Sequence, residues 1–284
     1  MARNTAAGGL AGHLHLGLRL NRRGMELSAM RLVVWGAGEL GGRVAIQWAP
    51  SGGPVVGLTQ GTSRHDDLRR AGVEPRLGSA VDVLTPDDVL LLALPGNAKQ
   101  KAAVDALQHT PPPGRAVLIS STGYYGTPVG RVDEETPSGQ TQHAINVASA
   151  EHAFRTWAGA NGVVMRFGGL YRPGRGPMSA LLRRGAAPEG APNRTLALIH
   201  YADAVTATLA ALRHPAPETT YVGVVPPCPT RCEFYTRACE VAGLPEPMFT
   251  SPLSHPPAEY DVTRLMRDLL PEPAHPDWRD ALAV

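Results

Sequence analysis

Glycines 36, 38 and 41 have the G-x-G-x-x-G spacing that lets a backbone wrap a phosphate. They follow a short apolar run, Leu32, Val33, Val34 and Trp35, and precede a helical pattern carried by Val44, Ala45, Ile46 and Trp48. In that order each glycine has a task. Gly36 permits a tight turn off a strand, Gly38 lets the backbone approach a pyrophosphate, and Gly41 lets the next helix pack against the strand. The free N–H groups of the helix's first turn, at Glu39 and Leu40, then face the anion together with the positive end of the helix. The chemistry implied is the binding of a dinucleotide.

In sites of this design the second strand usually ends in Asp or Glu, which bonds the ribose 2′-hydroxyl. Here it ends at Thr59, and no carboxylate appears before Asp66. Thr62, Ser63 and Arg64 stand there instead, two hydroxyls and a guanidinium suited to a 2′-phosphate. NADP is therefore expected over NAD. Leu94, Pro95 and Ser120, at the ends of later strands, complete the expected cofactor-binding set, because ligands of such sheets gather at the C-terminal strand ends.

The elements that must position these residues alternate. Strands are expected over 55–59, 74–77, 89–94, 116–120 and 163–167, with helices over about 40–49, 66–71, 98–108 and 140–160. The run at 89–94 is continuously apolar, as suits a parallel strand covered on both faces. Farther on, a strand over 195–199, a helix from Asp203 to Arg213, a strand over 221–225 and a helix over 231–241 are expected. Asp203 reads as the cap of its helix and His200 as a strand-end residue. The pattern specifies an α/β protein with a Rossmann-type doubly wound parallel sheet. Residues 30–170 would form the dinucleotide-binding part, with 195–225 returning to it. The Arg-, Gly- and Pro-rich 171–194 and the Pro-rich 226–284 would form a small substrate lobe, lying like a lid over the strand ends. Residues 1–29 read as a tail, disordered or a mis-assigned start, with Met25 and Met30 as alternative first residues.

Composition narrows the partners. Net charge is only +2, with 27 basic and 25 acidic residues intermixed, so neither nucleic acid nor an anionic membrane is indicated. No run approaches the roughly 18 apolar residues of a spanning helix. Three cysteines, Cys228, Cys232 and Cys239, lack the paired spacing of a zinc site. Their odd number and the absence of a secretion signal predict reduced thiols, a cytoplasmic location and no bound metal. Lys99 and Lys101 are the only lysines.

Beyond the glycine loop, several segments together resemble the extended short-chain dehydrogenase/reductases, the NAD-dependent epimerase/dehydratase family. Leu118-Ile119-Ser120-Ser121-Thr122-Gly123-Tyr124-Tyr125-Gly126 is similar to its "SS…VYG" segment, and an acidic loop, Asp133-Glu134-Glu135-Thr136-Pro137, follows. Arg166-Phe167-Gly168-Gly169-Leu170-Tyr171-Arg172-Pro173-Gly174-Arg175 is similar to "R…YGPGR", and Ile199-His200-Tyr201-Ala202-Asp203-Ala204-Val205 to "HVDDVA". The glycine spacing and short length look most like the atypical YeeZ-like subgroup. The resemblance implies an oxidoreductase, epimerase or dehydratase acting on a carbonyl or sugar-like small molecule, and a homodimer. It also implies a catalytic Ser/Thr, for which Ser121 matches, and a Tyr and a Lys spaced Y-x-x-x-K on the long helix. Tyr124, Arg172 and Arg175 are implied as substrate contacts.

The Tyr and Lys are missing. Aligned on Glu151, their positions are His143 and Val147, which share a helix face but not the chemistry. Val147 cannot bond a ribose or lower a neighbour's pKa. An imidazole can serve as a general acid, so His143 is the catalytic residue left beside Ser121. Two readings stay open: an NADP-dependent enzyme with a degenerate site, and a non-catalytic dinucleotide-binding sensor or regulatory protein.

Overall fold

A computed structural model describes residues 30–51, 53–187, 190–249 and 256–283; the expectations for 1–29 lie outside the described residues. The first half contains β1 (Leu32–Trp35), α1 (Glu39–Trp48), β2 (Val55–Thr59), α2 (His65–Arg70), β3 (Glu74–Leu77), β4 (Val89–Leu92), α3 (Asn97–Leu107) and β5 (Arg115–Ser121). Then come β6 (Gly130–Val132), α4 (Gln142–Ala158), β7 (Gly162–Phe167), β8 (Gly169–Tyr171), α5 (Pro177–Arg184), β9 (Leu198–His200) and α6 (Tyr201–Arg213). The chain continues through β10 (Thr220–Gly223), α7 (Arg231–Ala242), β11 (Ala258–Tyr260) and α8 (Thr263–Asp268).

Seven strands form one sheet in the order β10-β7-β5-β4-β1-β2-β3. Every neighbouring pair is parallel. The apolar runs allow this because both faces are covered: all four residues of β4 and all six of β7 are buried. On one face Leu32, Val34, Leu91 and Val117 pack with Val44 and Trp48 of α1, Leu68 of α2 and Leu212 of α6. On the other, Val33, Leu90, Leu92 and Leu118 meet Val104 and Leu107 of α3 and Phe154 and Trp157 of α4. A third cluster joins Tyr171, Met178 and Leu181 to Phe234, Tyr235 and Cys239 of α7 and to Leu282. Because β1 lies between β2 and β4, the strand order reverses beside it, which opens a crevice at the C-terminal ends.

Most differences from the sequence expectations lie at element ends. The long helix begins at Gln142, where the Thr141 hydroxyl accepts from Ala144 N–H, and stops at Gly159 with φ +53°. Two small parallel pairs, β6 with β11 and β8 with β9, have no strong strand signature. Cys232 is exposed whereas Cys239 is buried, and both thiols, like that of Cys228, are free.

The start of α6 shows a real exchange of roles. His200, not Asp203, is the N-cap: its Nδ1 accepts from Ala202 N–H at 3.1 Å. Asp203 lies in the first turn and accepts instead from Ala274 N–H at 2.8 Å and His275 N–H at 3.1 Å. The C-terminal segment is thereby fastened to α6, and the His275 ring stacks on His200 at 3.5 Å between centroids. His275 Nδ1 lies 2.9 Å from Asp280. Burial holds the His200 pKa below its ordinary value, helped by His275 and by Arg43 of α1, against Asp203 and Asp280. The unfolded chain therefore binds more proton than the folded one just below about pH 6.5. This part of the stability is complete above that pH and is lost as pH falls through the lowered value. Melting curves should show a smaller acid-induced drop in Tm for His200→Asn, which keeps a capping oxygen, than for the wild type; parallel drops would refute the assignment.

Candidate functional site

The glycine loop is held from both sides. Gly36 N–H and Ala37 N–H both donate to Leu58 O of β2, at 3.1 and 3.0 Å, and Ala93 N–H donates to Trp35 O at 2.9 Å. Gly36 has φ +101°, and a Cβ there would lie 2.7 Å from the Ala93 carbonyl. A Cβ on Gly41 would overlap the Gly36 carbonyl oxygen. These two glycines are requirements of packing. Gly38 is different: its Cβ would meet only the Gly36 oxygen, at 4.0 Å, and would otherwise enter open space. No side chain caps the helix that starts beside it. The first-turn N–H groups of α1 thus face a space that no protein atom fills, which suits an anion.

That space is a cavity of about 800 Å³ at the C-terminal strand ends. Gly36, Gly38, Glu39 and Leu40 form its floor. Beyond β2 it is lined by Thr59, Gln60, Gly61, Ser63 and Arg64, and beyond β3 by Gly78 and Ser79. Leu94, Pro95 and the α3 residues Lys99, Ala102, Ala103 and Ala106 also line it. Ile119 of β5, Leu170, Arg175 and Tyr201 close the far end. Gln100 fixes that geometry, since its buried amide donates to Leu94 O at 2.9 Å and to Ile119 O at 2.7 Å.

Charge is distributed unevenly around the cavity. Glu39 accepts from Arg172 Nε at 2.9 Å and Arg43 Nε at 3.1 Å. Partial burial raises its pKa, but the two guanidinium groups outweigh this and hold it below the ordinary value. Arg175 Nε donates to the Tyr201 hydroxyl at 2.9 Å. The Arg64 guanidinium lies against the first turns of α1, 3.4 Å from where a Gly42 Cβ would stand.

Ten of the residues expected at the site line the cavity: Gly36, Gly38, Glu39, Leu40, Thr59, Ser63, Arg64, Leu94, Pro95 and Arg175. Gly41 supports the loop from beneath. Thr62 does not line the cavity; its carbonyl accepts from His65 N–H at the start of α2. Arg172 is held by Glu39. Thr59 brings its hydroxyl within 2.7 Å of His65 Nε2.

The remaining residues form a separate cluster after Ile119. Ser120, expected at the cofactor, instead donates its hydroxyl to buried Glu151 at 2.6 Å. Glu151 also accepts from Arg166 Nη2 at 2.9 Å and Arg155 Nη2 at 3.0 Å. Burial opposes the Arg166 charge, but Glu151 outweighs it and raises the pKa. The Tyr124 ring lies 3.4 Å beneath the Arg166 guanidinium, which also donates to the Tyr125 hydroxyl at 2.9 Å. Ser121 accepts from Gly123 N–H at 3.0 Å. Val147 is buried. His143 is exposed, with Nδ1 3.3 Å from the Asn97 amide nitrogen, and its Nε2 lies over Gly123 where any Cβ would collide. Among the described residues no three His, Cys, Asp or Glu side chains gather for a metal. No described helix is long and apolar enough to cross a membrane.

Sequence reasoning missed Lys99, Gln60, Ser79 and Tyr201. Lys99 carried a usable signal, because no acid stands three or four residues away to pair with it, whereas Lys101 has Asp105.

No protein-family model and no curated protein matches the chain. Solved structures do resemble it. A functionally unknown conserved protein from Silicibacter pomeroyi has a TM-score of 0.70 at 22% identity, and UDP-glucuronic acid 4-epimerase from Bacillus cereus, in complex with NAD, 0.68 at 18%. A putative NAD-dependent epimerase/dehydratase from Methylobacillus flagellatus has 0.67 at 21%. Each comparison covers 89% of this chain and 96% of the other. At these identities the likeness is one of fold: the Rossmann-type α/β sheet.

The two kinds of glycine separate in mutants. Gly41→Ala drives a methyl into the Gly36 carbonyl, with Val34 Cγ1 at 3.0 Å and Ala93 Cβ at 3.2 Å beside it. It should cost roughly 1–3 kcal/mol, read as a clear fall in Tm. Gly38→Ala should leave Tm nearly unchanged; an equal fall in both would contradict the distinction.

Proposed function

We propose that this protein binds a nicotinamide dinucleotide, NADP in preference to NAD, as an oxidoreductase- or epimerase-like protein with a rebuilt proton-transfer site. The carrying observation is the open space at Gly38 before an uncapped helix end. Packing alone does not demand a glycine there; a closely approaching diphosphate does. The volume of about 800 Å³ falls within the range of ligand pockets. Gly38, Glu39 and Leu40 would hold the diphosphate, and Thr59, Ser63 and Arg64 the adenosine ribose. Leu94, Pro95 and Ile119 would flank the other half. Bound there, the cofactor supplies hydride transfer to or from a carbon centre.

The chain's own contribution to proton transfer falls to His143. Ser120 donates its proton to Glu151, the Tyr124 ring is packed on Arg166, and Val147 carries no donor, while Ser121 accepts from Gly123 N–H and can still bond a substrate oxygen. The His143 Nε2 lies over the Gly123 loop and its Nδ1 beside the Asn97 amide. The Ser120 hydroxyl held by Glu151 and the apolar Val147 also favour the second reading, a non-catalytic dinucleotide sensor.

Calorimetric titration of the full chain distinguishes these readings. NADPH should bind about tenfold or more tightly than NADH, and Arg64→Ala should remove most of the difference. Gly38→Asp, which places a carboxylate in the open space, should abolish binding. Turnover across an aldehyde and ketone panel that falls in His143→Ala supports the enzyme; tight binding without turnover supports the sensor. NADH binding tighter than NADPH would overturn the cofactor assignment.

A further inference from the structure

Six arginines and lysines lie between β2 and the end of α3: Arg64, Arg69, Arg70, Arg76, Lys99 and Lys101. Four are paired within their own elements. Arg69 meets Asp66 at 2.8 Å, Arg70 meets Asp67, Arg76 meets Glu74 at 2.7 Å and Lys101 meets Asp105 at 2.7 Å. Arg64 and Lys99 have no carboxylate within ion-pair reach among the described residues, and both line the cavity. The unpaired cations are the ones that face the ligand space.

Their surroundings indicate what they would meet. Lys99, Ala102, Ala103 and Ala106 follow one another at helical spacing, so α3 presents a smooth alanine wall with a single ammonium at its start. Such a wall suits the face of a flat aromatic ring. Ser79, which also lines the cavity, accepts from Val81 N–H at 3.1 Å and carries no charge. Of the six cations, Arg64 and Lys99 are the charged donors that line the cavity. A phosphate monoester carries between about 1.5 and 2 negative charges near neutral pH, more than one guanidinium neutralises. A planar fork and a compact ammonium together match it.

We infer that Lys99 is a second phosphate-binding cation, which acts with Arg64 on a phosphate monoester of the adenosine ribose and so sets the preference for the phosphorylated dinucleotide. The inference rests on the dinucleotide reading above. Lys99 stands on α3 and Arg64 just ahead of α2, so the two cations would approach the monoester from separate elements that line one cavity.

Calorimetry on the full chain tests it with NADPH, NADH and adenosine 2′,5′-bisphosphate. Lys99→Ala should weaken NADPH and the bisphosphate by about tenfold or more, and NADH by less than about twofold. Lys101→Ala, which removes the paired lysine two residues away, should change none of them. An unmoved NADPH affinity in Lys99→Ala overturns the inference, as does an equal loss for NADPH and NADH, which would put the ammonium on the shared diphosphate. If the wild type binds neither dinucleotide, the underlying reading falls; if it binds both and Lys99→Ala behaves as the wild type, only the role of Lys99 falls.

Discussion

The C-terminal edge of the sheet depends on one backbone-to-backbone contact, the meeting of the Gly36 turn with Ala93 and with the first turn of α1. No Cβ fits at 36 or at 41, so strand, turn and helix approach more closely than side chains normally permit. The hydrogen bonds from Gly36 and Ala37 to Leu58, and from Ala93 to Trp35, anchor that turn to β2 and β4 at once. The direction of α1 is therefore fixed before any ligand arrives. The helix end is held ready, and the free N–H groups of its first turn need no reorganisation to receive an anion.

A second constraint governs the loop after β5. Buried Glu151 ties α4 to β5 through Ser120 and to β7 through Arg166, and Arg155 bonds both Glu151 and Thr220 of β10. Charges this deeply buried persist only when every lone pair and proton has a partner, and removing one partner typically costs about 3–5 kcal/mol. Tyr124 and Tyr125 enclose the same guanidinium. The segment that resembles a catalytic loop is thus organised around a buried ion pair, which leaves His143 at its exposed margin.

The sheet and its glycine loop were legible because they are written locally, as continuous apolar runs and a fixed glycine spacing. The role of Ser120 was legible in principle. It shares strand parity with Ala116 and Leu118, which pack on the α3–α4 face, whereas Ile119 faces the other way and reaches the cavity. Parity, not proximity to the strand end, decides which side chain meets a ligand. The exchange between His200 and Asp203 was not legible. Either can cap a helix, and what selects His200 is the demand for Asp203 by two N–H groups some seventy residues away. The pairings of β6 with β11 and β8 with β9 are likewise long-range choices made by short segments.

Glu39 carries its own counterions into the cavity. With Arg43 and Arg172 both on Glu39, the α1 terminus keeps one carboxylate among its cations, whereas Arg64 and Lys99 have no carboxylate paired to them. Mobile ions screen exposed charges far more than they weaken oriented backbone dipoles in a recess. An elongated anion lying along this cavity would therefore be gripped by two mechanisms of unequal salt sensitivity. Rising ionic strength would loosen it first where the lysine and arginine stand, and the ligand would peel away from that end while the helix terminus still held the other.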